Sequence, residues 1–347
     1  MTALAPIDFR SDTLTAPDDA MRHAMASAQV GDDVLDGDPT LQSLEATVAD
    51  VLGHEAGLWV PSGSMGNLVA LIVHLRPGDS VLAPAEAHIF DNEVGTVSWL
   101  AGGFPKPLEC DHGPGMPSAA TVTAAAAATG PYFALRPRLL CLENTHAAAG
   151  GAVVTADDSS AVVSAARSAG LTTHLDGARI WNAAVHLGIH PGELASEFDT
   201  VQVCLSKGLG APVGSVVCGS EAFVTEARRV RKMLGGGIRQ AGILGAAGLV
   251  ALERIDRLAL DHHHASVLAE GLLDRGWTVS PVTTNIVMTP VDNPVETAES
   301  LSAVGIRVLA ARSAVRWVTY SGVSLDDVRC ALDRVTELTP SAEQRAS

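Results

Sequence analysis

The stretch Val201-Gln202-Val203-Cys204-Leu205-Ser206-Lys207-Gly208-Leu209-Gly210-Ala211-Pro212-Val213-Gly214 decides how this chain is read. A short run rich in apolar and β-branched residues has the composition of a buried strand. It ends in Ser206-Lys207 and opens into a glycine-rich loop, where main chain approaches a ligand closely. Such a loop delivers one amine, on a rigid support, into a crevice lined by backbone. Earlier, Leu171-Thr172-Thr173-His174-Leu175 ends in the same way, at Asp176-Gly177-Ala178-Arg179.

Outward from these two strand ends the pattern repeats. The spacing predicts a helix over Pro39–Leu52, opened by Asp38-Pro39 and carrying Leu41, Leu44, Val48 and Val51 on one face. Leu58-Trp59-Val60 reads as a strand that passes through Pro61-Ser62-Gly63-Ser64 into a helix over residues 65–74. Further strands are expected at 80–83, 139–142 and 215–218. Strands alternating with helices predict an α/β fold, a mostly parallel sheet with helices on both faces. Gly235-Gly236-Gly237 interrupts the alternation, and one long helix is expected from 241 to about 268. The alanine-rich run 124–129 reads as a helix end, and the last eight residues as a frayed tail. The expected division is 1–250, an N-terminal segment with the large ligand-binding domain, and 251–347, a small C-terminal α+β domain.

The bulk numbers agree. At 347 residues the chain exceeds the size of one ordinary core. Apolar residues make up 47% and aromatics only 4%, so the core must be aliphatic, as helices packed on a parallel sheet require. A formal charge of −16 argues against nucleic acid and anionic membranes as partners, since both need a surplus of Lys and Arg. Cys110, Cys141, Cys204, Cys218 and Cys330 lack Cys-x-x-Cys spacing and read as reduced thiols. With no charged-then-apolar leader and no run of 18 apolar residues, the expectation is a soluble cytoplasmic protein without a membrane segment. His262-His263-His264 has no partner at metal-ligand spacing and reads as a solvated helix face; no metal is expected.

Ligands of open α/β sheets sit outside the carboxyl ends of the strands. Ser64, His88, Glu143-Asn144, Asp176, Arg179 and Lys207 all fall at five such ends. A lysine that forms a Schiff base and an aspartate that holds a pyridinium nitrogen are what pyridoxal 5′-phosphate asks of a protein. Lys207 and Asp176 are the candidates, with Arg179 offering a planar fork to a substrate carboxylate. Ser62-Gly63-Ser64-Met65-Gly66-Asn67 reads as a phosphate cup at a helix start. Lys232 and Arg239, flanking the triple glycine, form a second basic stretch that can complete the phosphate site from a neighbouring subunit. His88 follows a strand, where an imidazole can stack on the pyridine ring. Each has a plainer reading: a solvated lysine, an Asp-Gly turn, a structural arginine, ordinary helix capping, an incidental loop histidine.

These residues lie in collinear blocks along nearly the whole chain. They are Asp8-Phe9-Arg10-Ser11-Asp12-Thr13, Val30-Gly31-Asp32-Asp33-Val34, the phosphate-cup segment, His88-Ile89-Phe90, Glu143-Asn144-Thr145-His146, His174 to Arg179, Cys204 to Leu209, and Arg231 to Gly242. Together they resemble the low-specificity L-threonine aldolases, fold-type I pyridoxal-phosphate enzymes of the β-eliminating lyase group. The resemblance implies Lys207 as the Schiff-base lysine, His88 on the ring, and Asp176 at its nitrogen. It implies Gly63 and Ser64 at the phosphate with Lys232 and Arg239 helping across an interface, and Ser11, Arg179 and Arg316 at the substrate carboxylate. It also implies a homotetramer of dimers that share active sites. The expected reaction is retro-aldol cleavage of L-threonine, L-allo-threonine and kin such as phenylserine to glycine and an aldehyde.

The chain departs from the family at Leu35-Asp36, at Ala147-Ala148-Ala149, at Tyr320-Ser321, and at Phe133, aligned where family members often carry a histidine. These departures are expected near the substrate's β-substituent. They leave open another pyridoxal-phosphate activity on the same scaffold, a racemase or a β-eliminating lyase, and a binding protein without turnover.

Overall fold

The computed structural model describes residues 5–127, 130–336 and 338. Its central sheet has seven strands: β1 (Ala56–Val60), β2 (Asp79–Pro84), β3 (Phe104–Leu108), β4 (Arg136–Glu143), β5 (Thr172–Gly177), β6 (Thr200–Cys204) and β7 (Ser215–Gly219). The spatial order is β1-β7-β6-β5-β4-β2-β3. Strands β3, β2, β4, β5 and β6 pair parallel, while β7 runs antiparallel between β6 and β1. Every residue of β6 and β7 is buried, because helices cover both faces. That is why these strands read as continuous apolar runs rather than as alternating ones.

The helix Pro39–Leu52 forms at the expected bounds. Asp38 accepts a hydrogen bond from Leu41 N, Pro39 fills the first turn, and Gly53 ends the helix in the left-handed region at φ 73°. Its Leu41, Leu44, Val48 and Leu52 pack with Trp59, Trp181, Val203 and Val216 in the main core.

A second core joins Leu268, Leu272, Val287, Trp317, Val328 and Leu332 with Ile7 and Phe9 from the other end of the chain. The strands Leu309–Ala311, Ala314–Val318 and Ile286–Pro290 form an antiparallel sheet there. Ile7–Asp8 pairs parallel with Ile306–Arg307, and the Phe9 ring lies 5.6 Å from that of Trp317. The smaller unit therefore draws on both ends of the chain.

The single long helix expected from 241 to about 268 is instead two, Gly242–Leu252 and Leu258–Asp274, separated by the 3₁₀ turn Ile255–Arg257. No Gly or Pro marks the break. Tertiary contacts do: Arg254 pairs with Asp18, and Arg257 donates to Gly208 O at 3.3 Å. The alanine-rich run ends the helix Ala119–Ala126, while 128–129 and the tail from 339 lie outside the described residues. Among the described residues no helix is long and apolar enough to cross a membrane.

Candidate active site

Four strands, β1, β2, β5 and β6, deliver polar groups to one cavity of about 210 Å³ at their carboxyl ends; Glu143 and Arg179 do not line it. After β1, Ser62 Oγ accepts from Met65 N at 3.2 Å and starts the helix Gly63–His74. The N–H groups of Gly63 and Ser64 have no intrahelical acceptor, so this helix start can receive an anion. A Cβ added at Gly63 would lie 2.8 Å from Cys204 Sγ, so only glycine lets this turn press against the end of β6. Gly63, Ser64, His88, Asp176 and Lys207 all line the cavity, together with Thr13, Asn67, Glu93 and Gln202.

Behind them runs a buried polar network. Asn67 Nδ2 donates to Asp176 Oδ2 at 2.7 Å and to Glu93 Oε1 at 2.8 Å. Its Oδ1 pairs with His174 Nε2 at 3.2 Å, and His174 Nδ1 pairs with Thr200 Oγ1 at 2.9 Å. Burial drives His174 down to about 3, so it is neutral and its Nε2–H locks the amide of Asn67. Asp176 also accepts from Ala178 N at 3.1 Å. Its carboxylate is thereby held at the cavity wall by two donors. Glu143, at the end of β4, accepts from His88 N at 2.9 Å and from Ala147 N at 2.8 Å. Glu93 Oε2 and Gln202 Oε1 are buried without a protein partner.

Arg179 is fully engaged on one edge. Its Nε and Nη2 each donate to Asp12 at 2.7 Å, and Asn285 Nδ2 adds a bond to the same carboxylate at 3.3 Å. Burial raises the Asp12 carboxyl, but the Arg179 charge and hydrogen bonds outweigh it and hold it at about 2. Burial and the Arg179 charge lower Arg316, with Asp12 opposing. Arg316 Nη2 donates to Arg10 O at 3.3 Å while its Nε is buried and unpartnered. Ser11 Oγ caps the turn Asp12–Leu14 and accepts from Thr13 N at 3.2 Å.

Lys232 and Arg239 do not reach the cavity of their own chain. Both are exposed, and Arg239 pairs with Asp32 at 2.8 Å. Phe133 is 76% exposed and precedes β4, at the amino end of the sheet. It therefore does not border its own chain's cavity, contrary to the expectation that it lies near the β-substituent. Leu35, 74% exposed, does not line it either. The histidine run is not a solvated face: only His263 is exposed. His262 Nε2 pairs with Asn182 Nδ2 at 3.1 Å, burial lowers it to about 4, and His264 Nδ1 meets Val323 O at 3.1 Å.

Asp12, Asn67 and Glu93 were without assigned roles in the sequence reading. The first two sit inside the quoted blocks, and only Asn67 stands beside an expected helix start. Glu93, in Asp91-Asn92-Glu93-Val94-Gly95, carries no local signal at all.

A family model described as β-eliminating lyase matches residues 8–294. A "probable low-specificity L-threonine aldolase 2" of Arabidopsis thaliana is 42% identical over 342 residues, 95% of this chain and 96% of that one. The low specificity L-threonine aldolase of Escherichia coli K12 is 38% identical over 328 residues, 93% and 96% of the two chains. A solved structure of Leishmania major threonine aldolase superposes with a TM-score of 0.83 at 19% identity, covering 96% of this chain and all of that one. The fold is thus the expected fold-type I architecture.

Proposed function

The chain belongs to the β-eliminating lyase family, and on that premise we propose that it is a carbon–carbon lyase using pyridoxal 5′-phosphate. Its proposed substrates are L-threonine, L-allo-threonine and related β-hydroxy-α-amino acids, phenylserine included, which it cleaves to glycine and an aldehyde. The observation that carries this reading is the meeting of Lys207, Asp176 and the helix start at Gly63–Ser64 in one cavity. An amine, a fixed carboxylate and a helix start answer the cofactor's aldehyde, ring nitrogen and phosphate.

Pyridoxal phosphate, when bound, supplies an electron sink for the pair released when a bond to Cα breaks. Lys207 would hold its aldehyde carbon, and the Gly63 and Ser64 N–H groups its phosphate. Asp176, its carboxylate already oriented by Asn67 and Ala178 N, would hold the ring nitrogen with little reorganisation. His88, lining the cavity, would stack on the ring. Arg316, with its buried free Nε, Arg179, with the N–H groups Asp12 leaves free, and Ser11 take the substrate carboxylate.

Lys232 and Arg239 are read as phosphate donors to a neighbouring subunit in a homotetramer of dimers. Exposed Met233, Ile238 and Ile243 around them are in keeping with a covered surface. A smaller unit formed mostly by residues after 258, with Ile7 and Phe9 added from the other end, is in keeping with the two hydrophobic cores. Five free cysteines accord with a reducing cytoplasm.

The test is direct. Purified protein is incubated with threonine, allo-threonine, phenylserine, serine and alanine enantiomers and scored for aldehyde, ammonia and racemisation. Glycine with an equimolar aldehyde is expected, and borohydride should fix a pyridoxyl group on Lys207. Racemised or deaminated product without glycine from any β-hydroxy substrate would overturn the reading.

A further inference from the structure

Glu93 is a carboxyl group that no solvent reaches: its side chain is 0% exposed. Burying it is costly unless donors compensate. Oε1 takes both donors, His88 Nδ1 at 2.9 Å and Asn67 Nδ2 at 2.8 Å. The other end of His88 is equally fixed, because its backbone N–H donates to Glu143 Oε2. Since Oε1 accepts from Asn67 and a carboxylate only accepts, the bond to His88 requires the ring hydrogen on Nδ1. In the neutral ring Nε2 is then the acceptor, and it makes no hydrogen bond among the described residues. A carboxylate behind an imidazole that lines the cavity and keeps its far nitrogen unbonded is the arrangement that makes histidine a directed base.

We propose that Glu93 is a positioning residue that fixes His88 in the Nδ1–H tautomer, so that Nε2 takes the proton of the substrate's β-hydroxyl. This rests on the aldolase reading above. In the step, the O–H proton passes to Nε2 and the freed oxygen pair forms the aldehyde C=O as Cα–Cβ breaks. The Cα–Cβ pair stays with the glycine fragment, which takes a proton from water, and His88 returns the hydroxyl proton to water. Atoms and charge balance with no further reactant.

The charges around the ring act in the same sense. The Glu93 hydrogen bond raises the His88 pKa against burial, with the charges of Asp176, Glu93 and Glu143 adding to it. Burial and Asp176 push the Glu93 carboxyl up, against His88 and Asn67. Both members of the pair are raised, the imidazole by its hydrogen bond to Glu93 and the acid by its burial.

Glu93→Gln keeps the size and removes the charge. The acid limb of the kcat/KM profile should move down by about one pH unit, with kcat falling more than KM, and Glu93→Asp should restore part of the loss. Independently of turnover, ¹⁵N-histidine spectra of cofactor-free protein, with His88 assigned from His88→Asn, should show the Nδ1–H tautomer in the wild type. The same spectra should show a lower His88 pKa in Glu93→Gln. An Nε2–H tautomer in the wild type overturns the proposal even if no variant folds, as does a folded Glu93→Gln with unchanged acid limb and His88 titration. If wild type releases no glycine, the aldolase reading fails instead, while the spectra still report on the pair.

Discussion

Asp12→Asn removes one charge from a pair that water does not reach. Asp12 is 0% and Arg179 6% exposed, and two bonds of 2.7 Å join them. Holding the carboxyl at about 2 instead of 3.8 corresponds to ~2.5 kcal/mol of stability at neutral pH. That figure counts only the proton-linked part. The guanidinium cannot shed its proton and would stay charged in a dry site. Breaking such a buried pair from one side costs about 3–5 kcal/mol. The carboxyl is depressed on folding, so its contribution is complete above 3.8 and is lost as pH falls through about 2. The deficit of Asp12→Asn should therefore be full at pH 7 and shrink on acidification. Urea unfolding followed by tryptophan fluorescence, at matched protein concentration, measures it. A loss below about 1 kcal/mol at pH 7 would show that Arg179 is stabilised by something other than Asp12 and would refute the argument.

Other outcomes follow from the same geometry. Asp176→Ala should lower kcat by about 10²–10³-fold, as when a preorganised electrostatic partner is removed, with a smaller loss of cofactor affinity; near-normal kcat in the folded variant would dismiss its role. Gly63→Ala brings a methyl to 2.8 Å from Cys204 Sγ and should weaken cofactor binding, read as loss of the yellow absorbance on dialysis; full retention would mean the turn relaxes freely. Burial, opposed by Arg257, raises the Asp261 carboxyl to about 7. The fold thus holds a proton that the unfolded chain releases above about 4, so this group's contribution to stability falls as pH rises from about 4 to about 7. Asp261→Asn should flatten that slope in unfolding experiments at pH 5 and 7.5, and an unchanged slope would contradict the burial argument.

Much of the site was readable because its residues stand at predictable places. Asp38-Pro39 and Ser62 are capping chemistry whose effect is local, so the helices Pro39–Leu52 and Gly63–His74 start as expected or within two residues. Lys207 and Asp176 follow runs whose burial on both faces leaves an unmistakable apolar signature. Phe133 misled because alignment gives position along the chain, not which end of the strand faces the cavity. The helix expected through 253–257 failed because Arg254 and Arg257 find partners that are distant in sequence.

The sequence by itself determined the alternation of strands and helices, and the places of Lys207, Asp176 and the Gly63 turn at the carboxyl ends of strands. These depend on periodicity, capping and backbone conformation, which act over a few residues. Only the tertiary structure decided that Asp12 would engage Arg179, that Asn67 would orient Asp176, and that Glu93 would stand behind His88. Partners at Asp12–Arg179 and Asn67–Asp176 lie 167 and 109 residues apart. Glu93 is near His88 in sequence, but it is burial, supplied by the packed sheet and helices, that makes its carboxylate bind the imidazole rather than water.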